Sequence, residues 1–509
     1  MSTSAEATEG NTAARPTLRR ALGPQMAIAV VVGNVIGSGI FLKPGNIASE
    51  SGHFGLIISV WVFGGLLCIL GALSFAELAT ALPQAGGIYV YLREAYGRPV
   101  AFLFGWTEFL FSRPASIGAL AVAFVTSLGL AAGWRDGPMI QSLAAQTGLA
   151  HEVLHDLLEV SLSLVLIAGI AWVNVLGVLW GGRVQLATTL VKAGFLLLVA
   201  LAPLLAMPWI GQTIDVENYF TTAPARQMTF AAQVGAVLLA VMWAYNGWHG
   251  ITPLAEEVRE PQRTIPFALF GGVGVLIVLY VAANFAYHGV LSMSQMQAAG
   301  DHAAERMLGR LAGPAGLAAM AAVIMCSTFG AINTNLLQAP RILFAMGRDR
   351  IFFPILGSVH VNYRTPAVAI CVNALMSATL ILAVALAKHL VRGASADAFG
   401  SILAGRIVVS LQNDSIFELL TNFVIFSASI FYLLAVLAVM VLRSTRPDLP
   451  RPYRTWGYPI VPLAFCTVYV WFLTQIYLSK PLESRVGLLL IAAGVPVYFA
   501  YRRWGSKAA

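Results

Sequence analysis

Two short stretches carry the residues best suited to chemistry. Gly33 to Phe41 reads Gly-Asn-Val-Ile-Gly-Ser-Gly-Ile-Phe, and Met242 to Gly250 reads Met-Trp-Ala-Tyr-Asn-Gly-Trp-His-Gly. Each lies inside an apolar run long enough to cross a bilayer, yet glycine is a poor residue for a helix interior. In lipid every backbone N–H and C=O needs a partner, so a helix can be interrupted only inside protein or around a polar cavity. The half-helix that starts after a break presents unpaired N–H groups and a positive dipole end, which suits a carboxylate. One such stretch alone also fits a helix-packing surface of small residues. Two interrupted spans, the first and the sixth, entering from opposite sides, are the pattern of an inverted-repeat secondary transporter with its site at the breaks.

Lys192 is the most telling single residue. A lysine at the centre of a membrane helix costs about 2.5–3.5 kcal/mol on insertion scales, so it should face a polar interior. Snorkelling to an interface is the alternative. Glu108 and Arg113 share the third span, but five residues apart on an α-helix they point about 140° away from each other. Each is therefore expected to find a partner on another helix, with Glu77 a candidate for Arg113. His151-Glu152-Val153-Leu154-His155 matches the HExxH pattern of zinc proteases. That motif needs a third ligand and a cleft; the sequence offers neither, so no metal site and no enzyme are expected.

The elements that must hold these residues are set by composition. The 509 residues are 58% hydrophobic and 11% charged, with a mean hydropathy of +0.77. Soluble domains carry about 25% charged residues, so this is an integral membrane protein. About twelve apolar windows can span a bilayer, giving an all-α polytopic fold. The expected division is 1–17, a disordered cytoplasmic tail with no signal-peptide core; 18–207, a first repeat of five spans; 208–442, a second repeat of five; and 443–509, two additional spans and a tail. Lys and Arg outside the spans are more numerous on the loops facing the same side as the termini. That places both termini in the cytoplasm, and the net charge of +8 is read as loop charge, not as a nucleic-acid surface. The loops 133–158 and 388–414 and the stretch 292–310 are expected to hold short surface helices on the outer side. Arg446, Arg451 and Arg454 belong to an inner loop touching anionic lipid headgroups. All four cysteines lie in apolar segments and are read as buried thiols.

As an ordered set, several motifs resemble the amino acid–polyamine–organocation superfamily and, within it, the L-type amino acid transporter family. They are Gly33 to Phe41; Gly71-Ala72-Leu73-Ser74-Phe75-Ala76-Glu77-Leu78; Ala85-Gly86-Gly87-Ile88-Tyr89-Val90-Tyr91; Glu108 with Arg113-Pro114; Arg183-Val184-Gln185 leading to Lys192; Ala244-Tyr245-Asn246-Gly247-Trp248; and Ser327 to Asn333. The resemblance covers 18–447 and implies a five-plus-five inverted repeat with two extra helices, working by alternating access and often by obligatory exchange. It further implies that the N–H groups of Gly37, Ser38 and Gly39 hold a substrate carboxylate. The carbonyls of Val35, Trp243, Ala244 and Asn246 would take the ammonium, with the Trp243 ring closing above. Lys192 would stand where sodium-coupled relatives bind a cation, implying sodium-independent transport. Two departures bear on the side-chain pocket: Asn246 and His249 replace residues of the usual Gly-Gly-Trp-Asn, and Trp243 stands where Phe is usual. Residues 132–158 contain no cysteine, so a disulfide-linked glycoprotein partner is not expected. No cofactor is expected either. The resulting expectation is exchange or uptake of neutral L-amino acids. A cationic amino acid or polyamine carrier, and an amino acid sensor on the same scaffold, are the competing readings.

Overall fold

The computed structural model describes residues 17–132, 138–148, 150–211, 213–226, 228–391, 424–479 and 481–505. Among them the fold is helical, with single-residue bridges between Leu22 and Val258 and between His53 and Thr222 and no strand. Eleven helices are long and apolar enough to cross a membrane. Span six, Phe230–Tyr245, is the shorter twelfth, because its helix stops at the break. The order is span one, Pro24–Leu42; two, Phe54–Ala81; three, Arg98–Gly129; four, Val153–Leu176; five, Val178–Ile210; six; seven, Pro261–Val290; then eight, within Met293–Arg348; nine, Ala367–Val391; ten, Phe426–Thr445; eleven, Ile460–Ser479; and twelve, Ser484–Arg503.

Helices follow from the apolar runs because only intrahelical bonds satisfy backbone groups in hydrocarbon. Leu190, Leu197, Leu204 and Leu205 of span five are exposed, as expected of a lipid-facing surface. Glycines let the inner spans approach closely: a Cβ on Gly71 would lie 2.8 Å from the Trp248 ring, and one on Gly272 would lie 2.7 Å from Val31. Such small-residue contacts substitute for a hydrophobic driving force that lipid does not supply.

The stretch 292–310 does hold short helical segments: Met293–Ala299, capped by a Ser292–Gln295 box, and the start of Ala303–Arg348 before its kink at Gly313. Loop 133–158 contains the helix Pro138–Thr147, while 388–414 falls mostly outside the described residues. Cys68 and Cys466 are buried as expected, but Cys326 is only half-buried and Cys371 is exposed on span nine. An apolar segment in a membrane protein can face lipid, so apolar surroundings in sequence do not imply burial.

Ion pairs crowd one end of the bundle, here termed the basic end. Arg341 closes a fork on Glu257, with both side chains fully enclosed at 2.7 and 3.1 Å. Arg348 pairs with Glu256 at 2.8 Å, Arg93 with Asp349, and Arg443 with Glu77 at 2.7 Å. The far end is joined by neutral or single contacts instead. Gln233 donates to the carbonyls of Glu50 and Ser51, and Gln297 to those of Ala48 and Pro224.

Candidate functional site

Span one is helical from Pro24 to Val35 and resumes at Gly39–Leu42. Between them Ile36 leaves the helical region (φ −68°, ψ 84°), and the Gly37 N–H turns back onto the Val35 carbonyl at 2.7 Å. The N–H groups of Ser38 and Gly39 donate to no backbone acceptor among the described residues. Span six ends at Tyr245; Asn246 is extended (φ −59°, ψ 137°) and Gly247 has φ +98°. The chain then recloses through turns (Gly250 N–H to Gly247 O, Thr252 N–H to His249 O) into a 3₁₀ turn, Thr252–Glu257.

The two breaks touch. A Cβ on Gly39 would lie 2.9 Å from the Ala244 Cα and 3.3 Å from the Trp243 ring, so only glycine permits this approach. A Cβ on Gly37 would meet nothing nearer than the Val35 carbonyl at 3.8 Å, so Gly37 borders open space. The Asn34 amide donates to Gly247 O at 2.8 Å, tying one break to the other. The Ser38 side chain is buried, whereas Gly37, Trp243 and Asn246 are half-buried. Of the sequence-derived candidates, Val35, Gly37, Ser38, Gly39, Trp243, Ala244 and Asn246 therefore all gather at one place.

Lys192 is fully enclosed. Its ammonium donates to the carbonyls of Gly33 at 2.9 Å and Ile36 at 3.0 Å, and Ser327 also donates to Ile36 O at 3.0 Å. These are carbonyls at the end of a half-helix, where a cation is favoured. Lys192 belongs to a row: Thr189 donates to Ala29 O at 2.9 Å, and Gln185 to Ala29 O at 3.4 Å. Positions 185, 189 and 192 share one face of span five, and that face grips span one along its length.

Tyr280 of span seven was missed by sequence reasoning. Its hydroxyl is fully buried between the two breaks, 2.9 Å from the Val35 carbonyl and 3.1 Å from that of Ala244. Two of the carbonyls assigned to the ammonium thus already face this donor, and a third, that of Trp243, accepts the Asn246 N–H at 3.2 Å. The available signal was a phenol in the middle of a membrane span, which needs an acceptor. Tyr432 of span ten was missed too; its hydroxyl donates to the Asn246 side chain at 3.0 Å, and its ring lies 4.7 Å from that of His249.

Glu108 and Arg113 correct an expectation. They pair directly, Arg113 Nε donating to Glu108 at 2.5 Å, while Arg113 Nη1 reaches Asn335 at 3.0 Å. Residues Glu108–Ser112 form a π-turn in which the Arg113 N–H bonds to Glu108 O, so residues five apart stack above one another rather than diverging. Glu77 is not a partner of Arg113; Arg443, Arg451 and the Thr455 N–H surround it. The HEVLH stretch begins span four's helix, His151–Leu176. Among the described residues no three His, Cys, Asp or Glu side chains gather as a metal would require.

A polytopic helical bundle with two interrupted helices meeting at its centre has the architecture of a membrane transporter. The family model described as "Amino acid permease" matches residues 22–499, and the chain belongs to that family. Among curated proteins it is 28% identical to the serine/threonine exchanger SteT of Bacillus subtilis (strain 168), over 96% of this chain and 98% of the relative. It is 29% identical to the human large neutral amino acids transporter small subunit 2, over 96% of this chain and 82% of the relative. To the human Asc-type amino acid transporter 1 it is 28% identical, over 97% and 84%. The family and these relatives are named for transport, not for catalysis.

Proposed function

We propose that this protein exchanges neutral L-amino acids across the plasma or inner membrane without sodium, by alternating access. The observation that carries this reading is the meeting of the two breaks at Gly39 and Ala244. It brings the N–H groups of Ser38 and Gly39, which donate to no backbone acceptor among the described residues, to the end of the span-six half-helix, where the Asn246 carbonyl accepts from no backbone N–H among those residues. A zwitterion leaving water needs both charges met. The Ser38 and Gly39 N–H groups, with Gly37 at their edge, take the carboxylate, and the Ser38 hydroxyl adds a bond. The carbonyls of Val35, Trp243, Ala244 and Asn246 take the ammonium, with the Tyr280 hydroxyl yielding its place on Val35 and Ala244. The half-buried Trp243 ring closes over the substrate.

A neutral side chain is favoured because the nearby carboxylates are engaged: Glu108 by Arg113, Glu256 by Arg348 and Glu257 by Arg341. Lys192 supplies the fixed positive charge that a bound cation would otherwise provide, which supports sodium independence. The two repeats are 18–207 and 208–442, with 443–509 added. The basic end, rich in Arg, lies in the cytoplasm with both termini. No disulfide-linked partner is needed. The relatives named as exchangers and neutral amino acid transporters agree with this reading.

The test is uptake of radiolabelled L-serine, L-threonine, L-alanine, L-leucine and L-lysine into proteoliposomes, with and without internal amino acid and with sodium replaced by choline. Uptake of a neutral probe accelerated by internal substrate and indifferent to choline is expected. Sodium dependence would overturn the role given to Lys192, preference for L-lysine would overturn the neutral specificity, and binding without flux would make the protein a sensor.

A further inference from the structure

Between the second break and the basic end, three elements converge on a set of buried polar groups whose bonding is incomplete among the described residues. Gln338 of span eight is fully enclosed, and neither its amide oxygen nor its amide nitrogen has a partner among the described residues. Nearly one turn further along, Arg341 is also enclosed. Its Nε and Nη2 close the fork on Glu257, while Nη1 is unpartnered. The Thr252 hydroxyl, in the 3₁₀ turn after the break, and the Tyr91 hydroxyl, in the helix Ile88–Tyr96, are likewise enclosed; they face each other and have no other partner among the described residues.

Gln338 lies directly under the turn of the break, and Thr252 follows it in the chain. A Cβ on Gly250 would fall 2.5 Å from the Gln338 amide nitrogen, and one on Gly87 would fall 2.8 Å from the Thr252 hydroxyl. The Tyr91 ring stands 6.0 Å from Phe75, which in turn packs on Trp248 and His249. An enclosed polar group without a bond is costly, because it has given up its bonds to water and gained none. Buried polar groups in native folds are almost always bonded, so such a set calls for an occupant or for a second state that uses it. A guanidinium N–H, an amide NH₂ and two hydroxyls can each donate, as a carboxylate requires, while the Gln338 oxygen accepts.

We infer that Gln338, Arg341, Thr252 and Tyr91 form a second station for the amino acid carboxylate, on the route from the two breaks to the basic end. This rests on the transport reading above. A carboxylate arriving at Arg341 Nη1 competes with Glu257 for the guanidinium and loosens the fork that closes this end. The arginine changes one carboxylate partner for another, so its charge is never left buried alone, a strongly destabilising state. Opening of the basic end is thereby tied to the presence of substrate. An empty carrier lacks the carboxylate that unlocks it, as exchange requires.

Gln338→Leu and Thr252→Val test this, because both keep shape, the first removing the unpartnered amide and the second one of two hydroxyls that face each other. Purified full-length protein is assayed for thermal midpoint and for binding of L-serine, L-alanine and L-leucine, and in proteoliposomes for exchange of the same three probes. The expected result is a thermal midpoint unchanged or raised, since replacing unbonded polar groups by apolar ones of like shape is neutral or stabilising. Binding stays within about twofold while exchange falls about tenfold, the equivalent of 1.4 kcal/mol at the barrier. Exchange within about twofold of the parent would overturn the inference. So would exchange and midpoint falling together, the signature of a merely structural amide. If Gln338→Leu does not fold, Thr252→Val is judged by the same criteria. A parent protein that moves none of the probes overturns the transport reading, and this inference with it.

Discussion

The two helix breaks solve the same problem in opposite ways. At the first, the carbonyls left over at the end of the half-helix are held by a fixed charge: Lys192 on Gly33 and Ile36, backed by Thr189 and Gln185 on Ala29. At the second, no charged side chain bonds to a carbonyl of the break among the described residues. The chain closes on its own turns, and neutral groups supply the rest: Asn34 on Gly247, Tyr280 on Ala244, Tyr432 on the Asn246 side chain. Charge-assisted bonds are roughly twice as strong as neutral ones, so the first break is fastened to span five while the second is held by contacts that can be exchanged. The first break is suited to be the anchor of the site and the second its adjustable half.

Removing the anchor has the largest expected effect. Lys192→Met leaves the Gly33 and Ile36 carbonyls short of a charged donor, at about 1.5–3 kcal/mol for each bond. Exchange in proteoliposomes should fall about a hundredfold or more, with a lower thermal midpoint. If Lys192→Met keeps parental exchange, the asymmetry between the breaks is of no functional account. Adding sodium should not rescue the variant, because the face of span five offers no carboxylate to hold the ion.

The next pair of substitutions separates the contact between the breaks from the space beside them. Gly39→Ala drives a methyl into the Ala244 backbone at 2.9 Å, an overpacking that costs about 1–3 kcal/mol. Its midpoint and its exchange should both fall. Gly37→Ala puts the same methyl into open space, so the midpoint should hold while KM rises about tenfold through crowding of the carboxylate. Equal effects on midpoint from both changes would mean that the space beside Gly37 is not the substrate's.

How much of this was legible depended on whether a residue breaks its local pattern. Gly37, Ser38, Gly39 and Asn246 stood out because glycine and polar side chains are out of place in mid-membrane, and Lys192 because a charge there is costly. The Glu108–Arg113 pair was misjudged for the same reason that the breaks were found. A spacing of five points two side chains apart only on an unbroken α-helix, and the π-turn at Glu108–Ser112 leaves no mark in residue types. Tyr280 was missed because tyrosine is at home in a membrane span; only the fold shows that its hydroxyl lies between both breaks. Span five's row of 185, 189 and 192 was visible as spacing, but which carbonyls it grips depends on the packing of span one.

The smallest expected effect tests the adjustable half. Tyr280→Phe removes one neutral hydroxyl shared between Val35 O and Ala244 O at 2.9 and 3.1 Å. A typical neutral hydrogen bond contributes about 0.5–1.5 kcal/mol, so the midpoint should drop slightly. The sign of the change in substrate affinity is the informative part. If the hydroxyl competes with the substrate ammonium for these carbonyls, its removal frees them and apparent affinity should rise about two- to fivefold. If the hydroxyl instead holds the carbonyls in position for the ammonium, affinity should fall by a similar factor. The first outcome makes Tyr280 a stand-in that fills the ammonium position between substrates, which is what a break held by exchangeable neutral contacts implies. The second makes the second break as rigid as the first and removes the distinction between them.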